Sequence, residues 1–271
     1  MRARHIRLVV AIVLAVLINA PILLMLVNSF RTTDEMMASR SLLPAHVTWA
    51  NYTFLFARTS FPRFLLNTAV IGTVATVLTL IGAGLAGYAL SRWRGRLLGG
   101  YARALLCVQM FPIVMALIPL FIVFRILGLI DSALSVILVY AAVHLPFATW
   151  MFRSFIDAIP RELDEAALVD GCTRLAAFVR VVLPLAGPGT AAVTMFSLLF
   201  SYNEFFVAST FLRDESAMTV PVGVQMFMGQ YETDWGSLMA AATATMVPAF
   251  LFFLFVQKYV ASGAIEGGVK G

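Results

Sequence analysis

An all-α integral membrane protein with six transmembrane helices is the fold class this sequence predicts. Of its 271 residues, 61% are apolar and 12% charged, against about 25% charged in an ordinary soluble domain. The mean hydropathy is +0.91, more apolar surface than one soluble core of this size can hide. The apolar residues also gather into six runs, each near the roughly 20 residues that cross a bilayer. A disulfide scaffold is excluded by a cysteine count of two, Cys107 and Cys172. Nucleic-acid binding is not expected despite a net charge of +5, because the basic residues are scattered between apolar runs rather than massed on one face.

The predicted spans cover residues 8–27, 64–90, 104–124, 134–152, 188–212 and 237–260, in one transmembrane domain comprising residues 1–271. The first follows a basic MRARHIR opening, as a signal peptide would. Its apolar run is about 20 residues long, however, and no A-x-A site precedes Asn28, so a retained anchor is expected. Pro112, Pro119, Pro146 and Pro248 interrupt spans, which predicts either kinks with freed carbonyls along a cavity or simple packing geometry. Residues 28–62 form a long first connection, expected to carry a short lid or amphipathic helix. It holds an Asn-Tyr-Thr sequon at Asn51, read as a chance match.

Six spans place both ends on one side. With that side cytoplasmic, 13 of the 19 lysines and arginines fall inside, as the positive-inside rule requires. The connection after the fifth span carries Asp214, Glu215, Glu232 and Asp234 against Arg213, in keeping with an outer position.

The inner connection, residues 153–183, is the most informative stretch. Pro160 suits the first turn of a helix, and Glu162, Asp164 and Glu165 fall near its positive N-terminal end. Gly171 supplies a left-handed stop, and Thr173 can cap a second helix that Pro184 closes or kinks. A helix, a glycine turn and a second helix are therefore expected. An interfacial amphipathic hairpin is the plainer reading. Such helices favour a basic polar face, whereas this stretch carries five acids beside four arginines, which suits a protein partner better.

The string Glu165-Ala166-Ala167, then Asp170-Gly171, Leu183-Pro184 and Pro188 resembles the EAA signature of bacterial ATP-binding-cassette importer permeases. Cys172 stands where that family usually has alanine. Pro112, Ile118-Pro119-Leu120, Gly128-Leu129, Leu145-Pro146-Phe147, Asn203-Glu204-Phe205 and Thr219-Val220-Pro221-Val222-Gly223 are similar to the maltose-type carbohydrate-uptake branch. The tail Gly267, Gly268, Val269, Lys270 and Gly271 is similar to the ending of the second permease of such pairs. Tyr202 replaces the tryptophan usual before the Asn-Glu pair. Together these cover residues 61–271.

The resemblance implies the type I importer architecture in the bacterial cytoplasmic membrane. It implies a partnership with a second homologous permease, two ATPase subunits, an extracytoplasmic sugar-binding protein and a sugar substrate. The hairpin would be the coupling helix that meets an ATPase, through Glu165, Ala166, Ala167, Asp170, Gly171, Leu183 and Pro184. The tail would reach the ATPases. ATP and magnesium would be bound by those subunits, with no cofactor or metal in this chain. A permease for another solute, such as a polyamine or phosphate, fits the EAA loop equally well. An ion-coupled secondary transporter, with Glu204 as coupling group, would usually show an internal repeat, and no convincing one is visible.

Intramembrane charge defaults to function, which singles out Glu204 in the fifth span beside Tyr202 and Asn203. Two roles stay open for the pair Asn203 and Glu204: bonding sugar hydroxyls in a cavity, or bonding neighbouring helices. Gln109, Tyr140, His144, Thr243 and Thr245 are weaker cavity candidates. His144 alone reads more readily as a packed core residue. Gly82-Ala83-Gly84-Leu85-Ala86-Gly87 matches G-x-G-x-x-G but lies inside a span with no acid about 20 positions on, so it reads as helix packing. No G-x-x-x-x-G-K-[ST] string occurs, and no catalytic residue is assigned.

Overall fold

The protein is described by a computed structural model over residues 2–39, 41–229 and 233–268. Among these residues it is helical, with one isolated antiparallel bridge between Met228 and Thr233. In chain order the helices are α1 (Arg2–Asn28), α2 (Thr33–Ala38), α3 (Ala50–Arg58), α4 (Phe61–Arg92), α5 (Arg96–Gln109), α6 (Ile113–Ile126) and α7 (Ala133–Asp157). There follow α8 (Glu162–Val169), α9 (Arg174–Ala177), α10 (Leu183–Leu185), α11 (Gly187–Asn203), α12 (Phe206–Phe211), α13 (Val220–Gly223) and α14 (Trp235–Gly268).

Four of these helices, α1, α4, α7 and α14, are long and apolar enough to cross a membrane unaided. The third and fifth expected spans are not single helices. Residues 104–124 divide between α5 and α6, which meet at 98°. Pro112 has no N–H and takes an extended backbone, φ −66° and ψ 117°, and a residue preceding proline is pushed away from the helical region. The expected 188–212 helix stops at Asn203: Glu204 is extended at ψ 128° and α12 starts again at Phe206. At the other end, the segment Arg174–Leu185 meets α11 at 81°. The other expected spans fall within α1, α4, α7 and α14, of which α7 continues to Asp157 and α14 to Gly268.

The chain forms two compact units. In the first, Met1–Arg63 with Val222–Pro248, the long connection after α1 is a folded cap. Arg31 is buried and bonds the side chains of Glu35 and Asn28 and the carbonyl of Ser41. The N–H of Ala45, and next Arg31, hold the Glu35 carboxyl below the usual carboxylate range against the cost of desolvation. Phe30, Trp49 and Tyr52 pack edge-on and tilted against one another. The Asn51 amide donates to the carbonyls of Ser29 and Arg31, so the nitrogen a glycan would occupy is committed to the fold. Gly236 lies so close that a Cβ there would sit 2.7 Å from Asn51 Oδ1. Burial opposes the charge on Asp234, but hydrogen bonds from Ser237, Thr33 and Gly236 outweigh it and keep that carboxyl low.

The second unit, Phe64–Pro221 with Ala249–Gly271, has its core where α4, α7, α11 and the segment between α9 and α10 meet. Ala83, Tyr88, Ala148, Phe152, Ile156, Phe178, Val182, Ala186 and Val193 make up that core. Of the glycines in α4, Gly87 is the one where the backbone of a neighbouring helix comes too close for a side chain. A Cβ on Gly82 would lie 2.8 Å from Leu145 Cδ1, and one on Gly84 3.4 Å from Phe178. At Gly87 the contacts are backbone: 3.0 Å to Arg153 N and 3.2 Å to Thr149 O.

Gly87→Leu should therefore force α4 off α7, at roughly 1–3 kcal/mol for overpacking, and lower the melting temperature of the detergent-purified protein. Gly99→Leu, where nothing lies within 4 Å, is the control. Equal melting of the two variants would remove the case for a packing role.

Candidate functional site

The connection between α7 and α11 is a helix–turn–helix built by local chemistry. Pro160 precedes α8, whose first turn holds Glu162, Asp164 and Glu165, where the helix dipole favours negative charge. Asp170 closes α8 with its N–H on Ala166 O. Gly171 then adopts φ +87°, a conformation that glycine reaches without a Cβ penalty. The Cys172 N–H returns to Ala167 O. Thr173 Oγ1 accepts the Ala176 N–H at 3.2 Å, capping α9. The helix then widens into a π-helical turn over Phe178–Val182. Pro184 cannot donate to the preceding turn, and the wider register, with Leu183 N–H on Phe178 O, absorbs the missing bond.

What holds this hairpin to the spans is Asp164. It is 7% exposed. Its Oδ1 accepts the Tyr88 hydroxyl at 2.8 Å and its Oδ2 accepts Arg92 Nε at 2.7 Å. Arg92 also donates to the carbonyls of Ile156 and Ile159, and Arg161 donates to Ser91 O at 2.7 Å. Tyr88 packs on Phe178 at 4.8 Å between ring centroids, and Arg174 lies over Trp93 at 5.1 Å. The sequence marks Asp164 as one of three acids in the first turn of this helix and does not single it out from Glu162 and Glu165. Its helical spacing to Ala167 was the available signal, because those two are the buried positions of α8.

The opposite face is open. Among the residues singled out from the sequence, Glu165, Ala166, Asp170 and Gly171 are exposed, Ala167 is buried, and Leu183 and Pro184 begin α10. At the tip Val169 is 87% and Leu175 62% exposed. Such apolar residues beside acidic ones make a surface suited to a partner.

The cavity candidates separate. Tyr140 Oη donates to Glu204 Oε2 at 2.9 Å, and the same carboxylate accepts the N–H groups of Val207 and Ala208 at 3.0 and 3.2 Å. Glu204 thus caps α12 and ties it to α7. Asn203 Nδ2 donates back to Leu199 O, and Asn203 lines a shallow depression with Glu204 and Phe206. Tyr202 is half-buried in α11.

Gln109 lines a different space, a cavity of about 590 Å³ with Phe111, His144, Phe147, Phe196 and Phe200. Its aromatic wall had no sequence signal, since Phe147 and Phe196 meet at 4.2 Å from helices far apart in the chain. Thr243 and Thr245 lie in α14, where the Thr245 hydroxyl bonds Ala241 O. Of the tail, Gly267 and Gly268 end α14. Val269, Lys270 and Gly271 lie outside the described residues, as does Glu232.

Long apolar helices, two bent pairs of shorter ones and a hairpin anchored by a buried ion pair define a polytopic membrane protein. Broken backbone of this kind is tolerated in a membrane only inside protein or along a cavity. Residues 78–265 match the binding-protein-dependent transport system inner membrane component family, and the chain belongs to it. It is 34% identical over 252 residues to the sulfoquinovosyl glycerol transport system permease protein of Agrobacterium fabrum, covering 93% of this chain and 88% of that one. It is 33% identical over 266 residues to the trehalose/maltose transport system permease protein of Thermococcus litoralis, covering 96% and 95%. Its fold matches a chain of a bacterial ATP-binding-cassette transporter that imports alginate, with a TM-score of 0.81 over 96% of this chain and 98% of that one, at 23% identity.

Proposed function

We propose that this chain is one permease half of an ATP-driven sugar importer and that the α8–α9 hairpin is where it receives force from an ATPase. The observation that carries the reading is the two-sided hairpin: one face held by the buried Asp164–Arg92 pair, the other presenting Val169, Leu175, Glu165 and Asp170 to solvent. A lever needs a stiff attachment and a free contact surface, and this hairpin has both. The relatives named above are permease proteins of sulfoquinovosyl glycerol and trehalose/maltose transport systems, which supports a saccharide cargo. A second, similar permease would enclose the path. Two ATPases would bind ATP and magnesium below, and an extracytoplasmic sugar-binding protein would deliver the substrate. The inward side would hold both termini, following the distribution of arginine and lysine. This chain would contribute no hydrolytic residue and no cofactor.

A tagged copy purified in mild detergent from native membranes tests this. The wild type should bring down an ATPase and a second permease. Gly171→Pro cannot adopt φ +87°, because proline holds φ near −65°. It should lose most of the ATPase, and Glu165→Lys, a charge reversal on the open face, should lose part of it. Purification of the wild type without an ATPase, together with solute uptake in liposomes driven by an ion gradient alone, would overturn the reading.

A further inference from the structure

We propose that the pocket where α4, α7 and the start of α8 meet is a binding site for a phosphate group, carried by an anionic phospholipid of the inner leaflet, with Arg94, Arg153 and Arg161 as its donors. It rests on the cytoplasmic placement of the hairpin argued above and not on the identity of the cargo.

The pocket holds about 500 Å³, within the usual range for small-molecule sites. Its walls are the C-terminal ends of α4 and α7 with residues 158–162. Four arginines line it, Arg92, Arg94, Arg153 and Arg161, against two carboxylates, Asp157 and Glu162. Arg92 is occupied by Asp164 and by the Ile156 and Ile159 carbonyls. The others are less engaged: Arg161 donates to Ser91 O at 2.7 Å and Arg153 to Asp157 Oδ2 at 3.3 Å, each through one nitrogen. Among the described residues Arg94 makes no hydrogen bond or ion pair. A guanidinium carries several N–H donors, so all of these keep spare ones.

Charge and donor geometry decide the ligand class. Asp157 is already met by Arg153, and Glu162 alone does not balance both Arg94 and Arg161. The surplus is positive and made of planar forks, which match the oxygens of a phosphate in pairs. The start of α8 lies on the same wall, and the first N–H groups of a helix lack intrahelical partners and favour an anion.

Depth decides the source of the phosphate. Both α4 and α7 are long and apolar enough to cross a membrane, and the pocket sits where they end, at Arg92 and Asp157. Trp93 and Trp150 belong to the same two ends: Arg153 lies over Trp150 at 5.2 Å, and Trp93 meets Tyr88 at 5.3 Å. Tryptophan at the end of a span marks the level of the lipid headgroups, and basic pockets at the cytoplasmic ends of spans suit acidic headgroups. The same walls hold the hairpin, since Arg161 reaches back to Ser91 and Arg92 reaches Asp164. A phosphate bridging Arg94, just beyond α4, to Arg161, just before α8, would fasten the hairpin further.

The test uses the full chain in neutral detergent, given equal amounts of dioleoyl phosphatidylglycerol and dioleoyl phosphatidylcholine, and counts the retained lipids by native mass spectrometry. The wild type should prefer phosphatidylglycerol about tenfold, and Arg94→Gln combined with Arg153→Gln should remove most of that preference. Melting should change little, because neither side chain is buried. Phosphatidylglycerol should also slow hydrogen exchange of the amides in residues 158–164 of the wild type and not of the double variant. Arg103→Gln, at an exposed arginine of α5 outside the pocket, is the control and should keep the preference. An unchanged preference in the double variant overturns the site. An equal loss in Arg103→Gln assigns the preference to general surface charge and overturns it too. Displacement of the lipid by millimolar glycerol 3-phosphate or inorganic phosphate would keep the phosphate site and overturn the lipid as its source. The preference should persist in the complex with the ATPase; its loss there means that a side chain of that subunit fills the pocket, which also overturns the proposal. ATPase capture is measured separately, so the importer reading can stand when this site falls.

Discussion

Asp164→Ala should release the hairpin from the spans while leaving its two helices formed. The Asp164 and Arg92 side chains are 10% and 7% exposed, so removing the carboxylate leaves a buried guanidinium without its counter-charge. Breaking a buried pair from one side costs roughly 3–5 kcal/mol, and the Tyr88 hydroxyl loses its acceptor as well. Hydrogen exchange of the amides in residues 162–178 should then accelerate by about two orders of magnitude or more. ATPase capture should fall although no residue on the open face has changed. Asp164→Leu combined with Arg92→Met should recover part of the loss, because an apolar pair removes the stranded charge. Full recovery is not expected, since the Ile159 carbonyl and the Tyr88 hydroxyl would still lack partners. Acceleration below tenfold in Asp164→Ala would show that the hairpin is held mainly by Tyr88, Phe178 and their neighbours.

The second large effect concerns Glu204. Its carboxylate accepts one hydroxyl and two backbone N–H groups, in the gap where α11 has ended and α12 has not begun. Capping residues contribute about 1 kcal/mol, and hydrogen bonds to a charged group roughly 1.5–3 kcal/mol each. Glu204→Ala should therefore destabilise the detergent-solubilised protein by roughly 3 kcal/mol. Glu204→Gln should cost less, because one oxygen can still accept from the α12 amides. Tyr140→Phe should be mild alone, and the double variant should show a coupling of about 0.5 kcal/mol or more. These outcomes distinguish the two roles that the residue type leaves open. A sugar ligand predicts instead that Glu204→Gln keeps full stability and loses uptake.

Features set by neighbours within a few residues were legible in the chain. The α8–turn–α9 geometry follows from Pro160, Gly171 and Thr173, because each acts on backbone within one turn of itself. The packing role of Gly87 followed from its position among small residues inside an apolar run. Pro112 announced a disturbance, but its size did not follow, since a proline in a span can bend a helix gently or break it. The neighbours of α5 and α6 in the fold settle that choice.

Roles that depend on which helix faces meet were not legible. Asp164 and Glu165 are adjacent acids on one short helix, yet one is the buried anchor and the other an exposed contact. Only the 76-residue return to Tyr88 separates them. Glu204 was legible as a costly intramembrane charge; its partner Tyr140 lies 64 residues away on another helix. Composition and apolar period determined by themselves that the chain crosses a membrane, and local punctuation determined where a hairpin forms, because both are short-range properties of hydration and backbone geometry. Tertiary structure alone decided which polar groups are consumed by the fold and which remain for a ligand or partner, because a hydrogen bond is assigned only when two surfaces distant in sequence are brought within 3 Å or so of each other.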